Sequence, residues 1–277
     1  LEFFRPEQTV VFFPDREVLP YDHFSPHEDL TSTRMRILYQ IQNLKNATVV
    51  VSSHTCITKL PPKQFVNQSL FNLKQGDKHD IQALKKQLLE MGYQHNHQVW
   101  RHGEFSARGS ILDIFPMGEP KPIRIEWFDD EVETLRYFDI ETQRSLEQIE
   151  SFCYQPTHEY PLTESSIGLF RQQWRSHFTG VAKDSPIYCA VSDGQSYDGL
   201  ESYLPLFHGQ LACLFDFLPA ETKLFLSDEA LESAKQHTDD IEYRYEQLRH
   251  DIQRPLLPPS MLFHTIEELL QQGQSKQ

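Results

Sequence analysis

The segment IRIEWF, residues 123–128, alternates between two kinds of side chain with a period of two, which is typical of a β-strand. Successive side chains of a strand point to opposite faces. The two isoleucines and the tryptophan therefore share one face, and we expect that face to lie in the core. Arg124, Glu126 and Phe128 share the other face. A large aromatic side chain beside an arginine on a solvent-facing strand surface requires an explanation.

Short segments of the same kind surround this strand and predict an antiparallel meander. Turn residues separate them, including Gly109 and the DD pair at 129–130. The four segments are 99–105, 110–115, 122–128 and 131–138. An amphipathic helix precedes them, with Asp80 as its N-cap and Gly92 at its end. Residues 66–150 are therefore expected to form a small α+β domain.

The first 65 residues have the pattern of a parallel α/β layer. Two short apolar runs, 10–13 and 48–51, flank a stretch with helical spacing that Asp29 or Ser32 could cap. Strand, helix and strand in this order predict a parallel pair joined by a right-handed crossover. Parallel sheets are covered on both faces, so this layer needs packing partners from elsewhere in the chain.

The last part of the chain, residues 151–277, returns to a mixture of helix and strand. A stripe of apolar residues predicts a helix around residues 167–174. The run 224–226 predicts a short strand, and either Ser227 or Asp228 could cap the long polar helix that follows it.

The composition excludes several classes of protein. Among 277 residues, 40 Asp and Glu against 26 Lys and Arg give a net charge of −14, which disfavours general binding of nucleic acid. No apolar run approaches the roughly 20 residues of a membrane span. The four cysteines lie far apart, which is typical of a reduced, cytoplasmic chain. The chain opens on Leu1 with neither an initiator Met nor a signal sequence, so we expect an excised fragment.

The 277 residues contain no catalytic or cofactor motif of the common kinds. The phosphate-binding pattern GxxxxGK followed by Ser or Thr, the dinucleotide pattern GxGxxG and the nucleophile pattern GxSxG are all absent. His54 with Cys56, and the histidines between residues 95 and 102, have no further ligand that would complete a metal site. We therefore expect no catalytic residue, no cofactor and no metal in this chain.

One cluster carries a functional prediction, namely Arg108, Arg124 and Phe128. Arginine and aromatic residues are enriched at the hot spots of binding surfaces. Arg108 lies just before the segment 110–115, and a shift of one residue in the strand register decides whether it shares the face of the other two. One of these registers places Asp113 across from Arg124. The alternative is a solvated Arg–Glu face with Phe128 covered by another part of the chain.

The run HGEFSARGSILDIFPMG, residues 102–118, resembles the second domain of bacterial transcription-repair coupling factors, and a related pattern occurs in the excision-repair protein UvrB. The resemblance covers nearly the whole chain in order. Its further motifs lie at residues 13–29, 128–131, 169–175 and 254–259. The resemblance implies an α/β fold of the UvrB-like, degenerate helicase type, with a parallel sheet and an inserted small antiparallel α+β domain.

The resemblance also implies three parts. Domain 1a is expected at residues 1–65, domain 2 at 66–150 and domain 1b at 151–277, with 1a and 1b packed into one α/β unit.

Domain 2 is the part that the resemblance implies to bind UvrA, and Arg108, Arg124 and Phe128 match the positions that contact it. The resemblance further implies a non-catalytic adaptor that has lost ATP hydrolysis and the DNA-clamping hairpin. RNA polymerase and DNA would be bound by other domains of the full-length factor, one of which could mask domain 2. Two alternatives remain: a UvrB-type DNA-dependent ATPase core whose nucleotide motifs are truncated, and a scaffold that only holds other domains.

Overall fold

The computed structural model of the protein describes residues 8–274. The outer ends of the predicted domains 1a and 1b, residues 1–7 and 275–277, lie outside the described residues. The strands are β1 (Thr9–Phe13), β2 (Ala47–Val51), β3 (Phe71–Lys74), β4 (Gln94–His95), β5 (Glu104–Arg108), β6 (Ile111–Ile114), β7 (Ile123–Phe128), β8 (Glu131–Phe138), β9 (Ser145–Gln148) and β10 (Ser151–Tyr154). The α-helices are α1 (Glu28–Gln40), α2 (Ser53–Ile57), α3 (Lys63–Gln68), α4 (Ile81–Glu90), α5 (Glu164–His177), α6 (Pro186–Ser192), α7 (Leu204–His208), α8 (Asp228–Leu248), α9 (Pro259–Leu262) and α10 (Ile266–Gln274). None of the helices in this part of the chain combines the length and the apolar character that crossing a membrane requires.

Strands β1 and β2 form the predicted parallel pair, with α1 as their connection. The register runs from Thr9 opposite Ala47 to Phe13 opposite Val51. The order strand, helix, strand in the sequence is therefore confirmed as a parallel unit.

The start of α1 differs from the prediction. The helix begins at Glu28, and the N-cap is His27, whose ring Nδ1 accepts a hydrogen bond from the backbone N–H of Asp29 at 3.3 Å. Asp29 and Ser32 both lie inside the helix, so the predicted caps are wrong. The prediction placed the start at the apolar residues, whereas the helix opens on Glu28 and Asp29, whose negative charges suit a helix N-terminus.

One face of the β1–β2 pair is covered and the other is open. Phe13 packs with side chains of α1 and with Phe217 from the last part of the chain, which confirms the predicted need for distant packing partners on this side. Phe12 and Val50 are exposed on the opposite side. Within residues 8–274 the two strands form a sheet of their own, so the expected cover on both faces is not found there.

Strands β4 to β9 form one six-stranded sheet in sequence order, and α4 packs against one face of it. All neighbouring strands are antiparallel except β4 and β5, which are parallel. The predicted meander is thus confirmed, with one correction. The segment 99–105 is not a strand as a whole, because β5 starts only at Glu104. The preceding loop instead packs Val99 against Phe115 and Phe138.

Helix α4 has both of its predicted ends. The carboxylate of Asp80 accepts hydrogen bonds from the backbone N–H groups of Gln82 at 3.0 Å and Ala83 at 3.3 Å. Gly92 follows the helix with a φ of +89°, a conformation that glycine adopts at little cost. A Cβ at Gly92 would lie 2.3 Å from Oγ1 of Thr157, so the chain also approaches too closely for any side chain.

The last part of the chain is mostly helical. The predicted helix with the apolar stripe is α5, and Ser227 caps α8 by accepting a hydrogen bond from the backbone N–H of Ala230 at 3.2 Å. The strand predicted at 224–226 is wrong. Leu224 packs against the large helical core instead, and Phe225 is exposed, because no described strand runs beside this segment to supply a hydrogen-bonding ladder.

A second antiparallel pair, β3 with β10, joins residues on either side of the predicted domain boundary at residue 150. Phe71 lies opposite Tyr154, and Lys74 lies opposite Ser151. The domain limits themselves stay predictions.

A linker after β10 holds the six-stranded sheet against α1. The side-chain amide of Gln155 donates to the carbonyl of Ser32 at 2.9 Å. The carboxylate of Glu159 accepts from Nε of Arg34 at 3.0 Å and from Nη2 of Arg16. Burial alone would raise the pKa of Glu159, but the two guanidinium groups and their hydrogen bonds lower it to about 2. Buried polar contacts therefore tie this linker to α1 and to Arg16.

Candidate partner-binding surface

The six-stranded sheet has a core face, which packs on α4, and an outer face, which points away from it. The isoleucines and the tryptophan of β7 lie in the core. Arg124 and Glu126 are half-buried on the outer face, and Phe128 is exposed there. The predicted alternation of β7 is therefore confirmed.

The strand register places Arg108 on this same outer face. Arg108 of β5 pairs with Ile111 of β6, and Ile111 pairs with Glu126 of β7. Side chains of directly paired residues in an antiparallel sheet point to the same side. Arg108, Arg124 and Phe128 therefore share one face, which the sequence alone left open for Arg108.

Phe128 is the most prominent apolar group of the outer face. Its side chain is 73% exposed, and it is the last residue of β7, directly before the turn at Asp129 with a φ of +57°. No described part of the chain covers the ring. Among residues 8–274, the alternative in which another part of the chain covers Phe128 is therefore not found.

Arg124 is held by its own sheet. Its Nε donates to Oδ1 of Asp113 at 2.7 Å, and its Nη2 donates to Oδ2 at 2.9 Å. Its Nη1 donates to the carbonyl of Gln143 at 3.3 Å, and the guanidinium lies 5.0 Å from the ring centre of Phe138. The hydrogen bond with Asp113 raises the pKa of Arg124. The Nε and Nη2 atoms of this guanidinium are thus already bound to the carboxylate of Asp113. The side chain of Arg124 is 19% exposed.

Arg108 is the more accessible of the two predicted arginines. Its side chain is exposed, and its Nη2 donates to the backbone carbonyl of His97. Within residues 8–274 no carboxylate forms an ion pair with it. Its positive charge is therefore available to a partner, whereas the charge of Arg124 is largely balanced by Asp113.

The outer face contains further side chains that the sequence analysis did not single out, Ile111 and Arg136 among them. Ile111 is 36% exposed, and Arg136 of β8 pairs directly with Arg124. The signal for Ile111 was present in the sequence: once Asp113 is assigned opposite Arg124, the residue two positions before it must share that face.

The histidines that the sequence analysis weighed as metal ligands make other contacts, and the backbone carbonyl of His97 accepts the hydrogen bond from Arg108. The ring of His54 stacks on that of His237 with centroids 4.0 Å apart, and His95 stacks on Phe105 at 4.9 Å. Within residues 8–274 no three side chains of the metal-binding types converge.

A cavity of about 410 Å³ lies beyond the carboxyl ends of β1 and β2, where open α/β sheets commonly hold ligands. Arg34 lines it but is ion-paired with Glu159. Asp15 adds negative charge, and burial raises the pKa of Glu201 to about 7. Arg16 also lines the cavity and pairs with the same Glu159. The other formally charged side chains of the lining are carboxylates, so this lining does not favour a triphosphate.

Comparison with known proteins bears on the same region. The sequence model of the UvrB interaction domain family matches residues 71–160. The chain is 38% identical over 263 residues to the transcription-repair-coupling factor of Haemophilus influenzae, covering 95% of this chain and 23% of the relative. The corresponding factor of Escherichia coli K12 is 39% identical over 264 residues, with the same coverage. That of Bacillus subtilis is 29% identical over 239 residues, covering 80% of this chain and 20% of the relative.

The family model of the UvrB interaction domain thus matches the part of the chain that carries the outer face. Over nearly its whole length, the chain is homologous to one segment of the transcription-repair-coupling factors, and the resemblance identified in the sequence is confirmed. The chain spans less than a quarter of the length of these relatives.

Proposed function

We propose that this chain is a non-catalytic adaptor that binds UvrA through the outer face of the six-stranded sheet. The observation that carries the proposal is the placement of Arg108, Arg124 and Phe128 together on the outer face, where Arg108 and Phe128 are exposed and Arg124 is half-buried, inside the matched UvrB interaction domain. As part of a coupling factor, the adaptor would recruit UvrA to stalled transcription complexes in nucleotide excision repair in the cytoplasm.

The chemistry of the face suits a partner that combines an apolar pocket with carboxylates. Phe128 would enter the pocket, since an exposed aromatic ring offers a large contact area at a low entropic cost. Arg108 would pair with a carboxylate of UvrA. Arg124 would offer only the N–H groups left over by Asp113 and Gln143, so its contribution depends on the orientation that Asp113 imposes.

The wider assignments follow from the same proposal. We propose domain 1a up to residue 65, domain 2 at 66–150 and domain 1b from 151, with the pairing of β3 and β10 joining domain 2 to the start of domain 1b. RNA polymerase and DNA would be bound by other domains of the full-length factor, and one of these domains would mask the outer face until polymerase is engaged.

Titration of purified UvrA into the chain and its variants tests the proposal. Phe128→Ala should weaken binding about thirtyfold, as expected for a hot-spot aromatic residue. Arg108→Glu should weaken it at least as much, because it replaces attraction by repulsion. The matched controls are Phe225→Ala and Arg249→Glu, which change exposed side chains far from the six-stranded sheet in the sequence. Equal affinities for the Phe128 variant and the parent chain would overturn the proposal.

A further inference from the structure

We infer that Ile111 is the central contact residue of the partner-binding surface and provides an apolar contact area between the three predicted residues. The inference rests on the proposed function, since it concerns the same outer face. It adds a binding residue that the resemblance did not point to.

The strand register puts Ile111 in the middle of the cluster. It lies directly opposite Arg108 on one side and directly opposite Glu126 on the other. Arg124 and Phe128 are two positions before and two positions after Glu126 along β7, which makes them the diagonal neighbours of Ile111. Diagonal neighbours in an antiparallel pair lie roughly 7–8 Å apart, within reach of aromatic and long side chains.

The continuity of the ladder supports this placement on the Phe128 side. The backbone N–H of Trp127 donates to the carbonyl of Ser110 at 2.9 Å, so β7 stays paired past Ile111 as far as the turn at 109–110. The strands are therefore not splayed between Ile111 and Phe128, and the two apolar side chains form one patch.

The character of Ile111 also fits a contact role. The other apolar side chains of β6, Leu112 and Ile114, lie in the core or are fully buried, whereas Ile111 is 36% exposed. Hot-spot contacts concentrate near the geometric centre of an interface, where surrounding residues exclude water. Here Arg108 and the Asp113–Arg124 pair would be the surrounding residues that exclude water. An apolar side chain of UvrA would cover the exposed part of Ile111.

The expected contribution follows from the size of the truncation. Ile111→Ala removes three carbon atoms from a surface that becomes buried, so the affinity for purified UvrA should fall about tenfold. Ile111→Val keeps the branched β-carbon and most of the contact, and its affinity should stay within about twofold of the parent chain. The double variant Ile111→Ala with Phe128→Ala should lose less than the two single losses combined, because the two residues share one apolar contact.

The matched control is Leu146→Ala on β9, which truncates another exposed aliphatic residue of the same sheet, 43% exposed and three strands away. Its affinity should equal that of the parent chain, and all variants should unfold at the same temperature as their parent. If Ile111→Ala binds as tightly as the parent while Phe128→Ala binds weakly, the inference is wrong and the proposed function stands. If Phe128→Ala also binds as tightly as the parent, the proposed function fails, and the inference fails with it.

Discussion

Phe128 and Arg124 lie on the same face of one strand, yet they differ in solvent exposure and in the contacts they already make. Phe128 is uncovered, whereas the guanidinium of Arg124 is bound by the carboxylate of Asp113, by a backbone carbonyl and by the ring of Phe138. The alternation of β7 was predictable from its residue types, since a period of two assigns each side chain to a face. The ion pair of Arg124 with Asp113 could not be predicted in this way, because it depends on the register between β6 and β7. A shift of one residue in that register places a different side chain opposite Arg124.

At the residue scale, Asp113→Asn tests whether the ion pair prepares Arg124. Asp113 is buried, and its loss would leave a partly buried guanidinium without its counter-charge. The free energy of unfolding should fall by about 1–2 kcal/mol, measured by urea denaturation. The affinity for UvrA should fall as well, because Arg124 loses the orientation that its remaining N–H groups require.

The control for this variant is Glu147→Gln, which breaks the surface ion pair with Lys121, where both side chains are about half exposed. Its effect on the free energy of unfolding should be much smaller than that of Asp113→Asn, because an exposed ion pair is screened by solvent. An Asp113 variant as stable as its parent would show that the pair does not hold Arg124.

At the scale of elements, the ends of helices and strands separate what local sequence decides from what tertiary contacts decide. Asp80 and Gly92 were predictable, because a cap and a left-handed C-terminal position are local requirements. The N-cap of α1 at His27 and the absence of a strand at 224–226 were not predictable. A strand exists only where another strand supplies hydrogen bonds, and that information lies elsewhere in the chain. The two-residue turn at 109–110 decides on which face Arg108 lies. Its position also depends on strand pairing and was not predictable from local sequence.

Gly92→Ala tests the close contact between the end of α4 and the linker that anchors the sheet. A Cβ there would lie 2.3 Å from Oγ1 of Thr157. Gly76 is the matched control, because its φ of +86° is nearly the same as the +89° of Gly92, while nothing lies within 4 Å of its virtual Cβ.

Both glycine variants should lose about 1 kcal/mol of unfolding free energy, because alanine is strained in a left-handed backbone conformation. Gly92→Ala alone should lose about 1–3 kcal/mol in addition, because its new methyl group overpacks the contact with Thr157. The difference between their unfolding free energies isolates the contact. If the two variants are equally stable, the linker does not press against Gly92 as described.

At the scale of the whole molecule, buried carboxylates connect parts that are distant in sequence. Glu159 ties the linker of the six-stranded sheet to Arg34 in α1. Glu201 accepts a hydrogen bond from the hydroxyl of Ser25 at 2.8 Å, which ties the last part of the chain to the loop before α1. The three-part division was drawn from changes in residue pattern and from the resemblance, and it stays a prediction. These ties could not be predicted from the sequence, because each joins residues more than a hundred positions apart.

Glu201 makes stability depend on pH in a direction that can be measured. Burial raises the pKa of Glu201 from an ordinary value of 4.5 to about 7. A carboxyl group with a higher pKa in the folded state stabilises the fold at low pH, and this contribution is lost as the pH rises through the folded value. Glu201→Gln removes the ionisable group and keeps an acceptor for Ser25.

Relative to the parent chain, Glu201→Gln should therefore gain about 2–3 kcal/mol of unfolding free energy between pH 5 and pH 8. Urea denaturation at the two pH values measures this gain. Exposed Glu221→Gln serves as the control and should show the same difference from the parent at both values. A Glu201 variant whose difference from the parent is constant with pH would contradict the account of its burial.

The central claim is that the outer face of the six-stranded sheet binds UvrA, and hydroxyl-radical footprinting of the unmodified chain tests it most directly. Free in solution, Phe128 and Phe225 should both react quickly, since both rings are mostly exposed. At saturating UvrA, the reaction of Phe128 should slow severalfold while that of Phe225 stays the same. A complex in which Phe128 reacts as fast as it does in the free chain would contradict the claim.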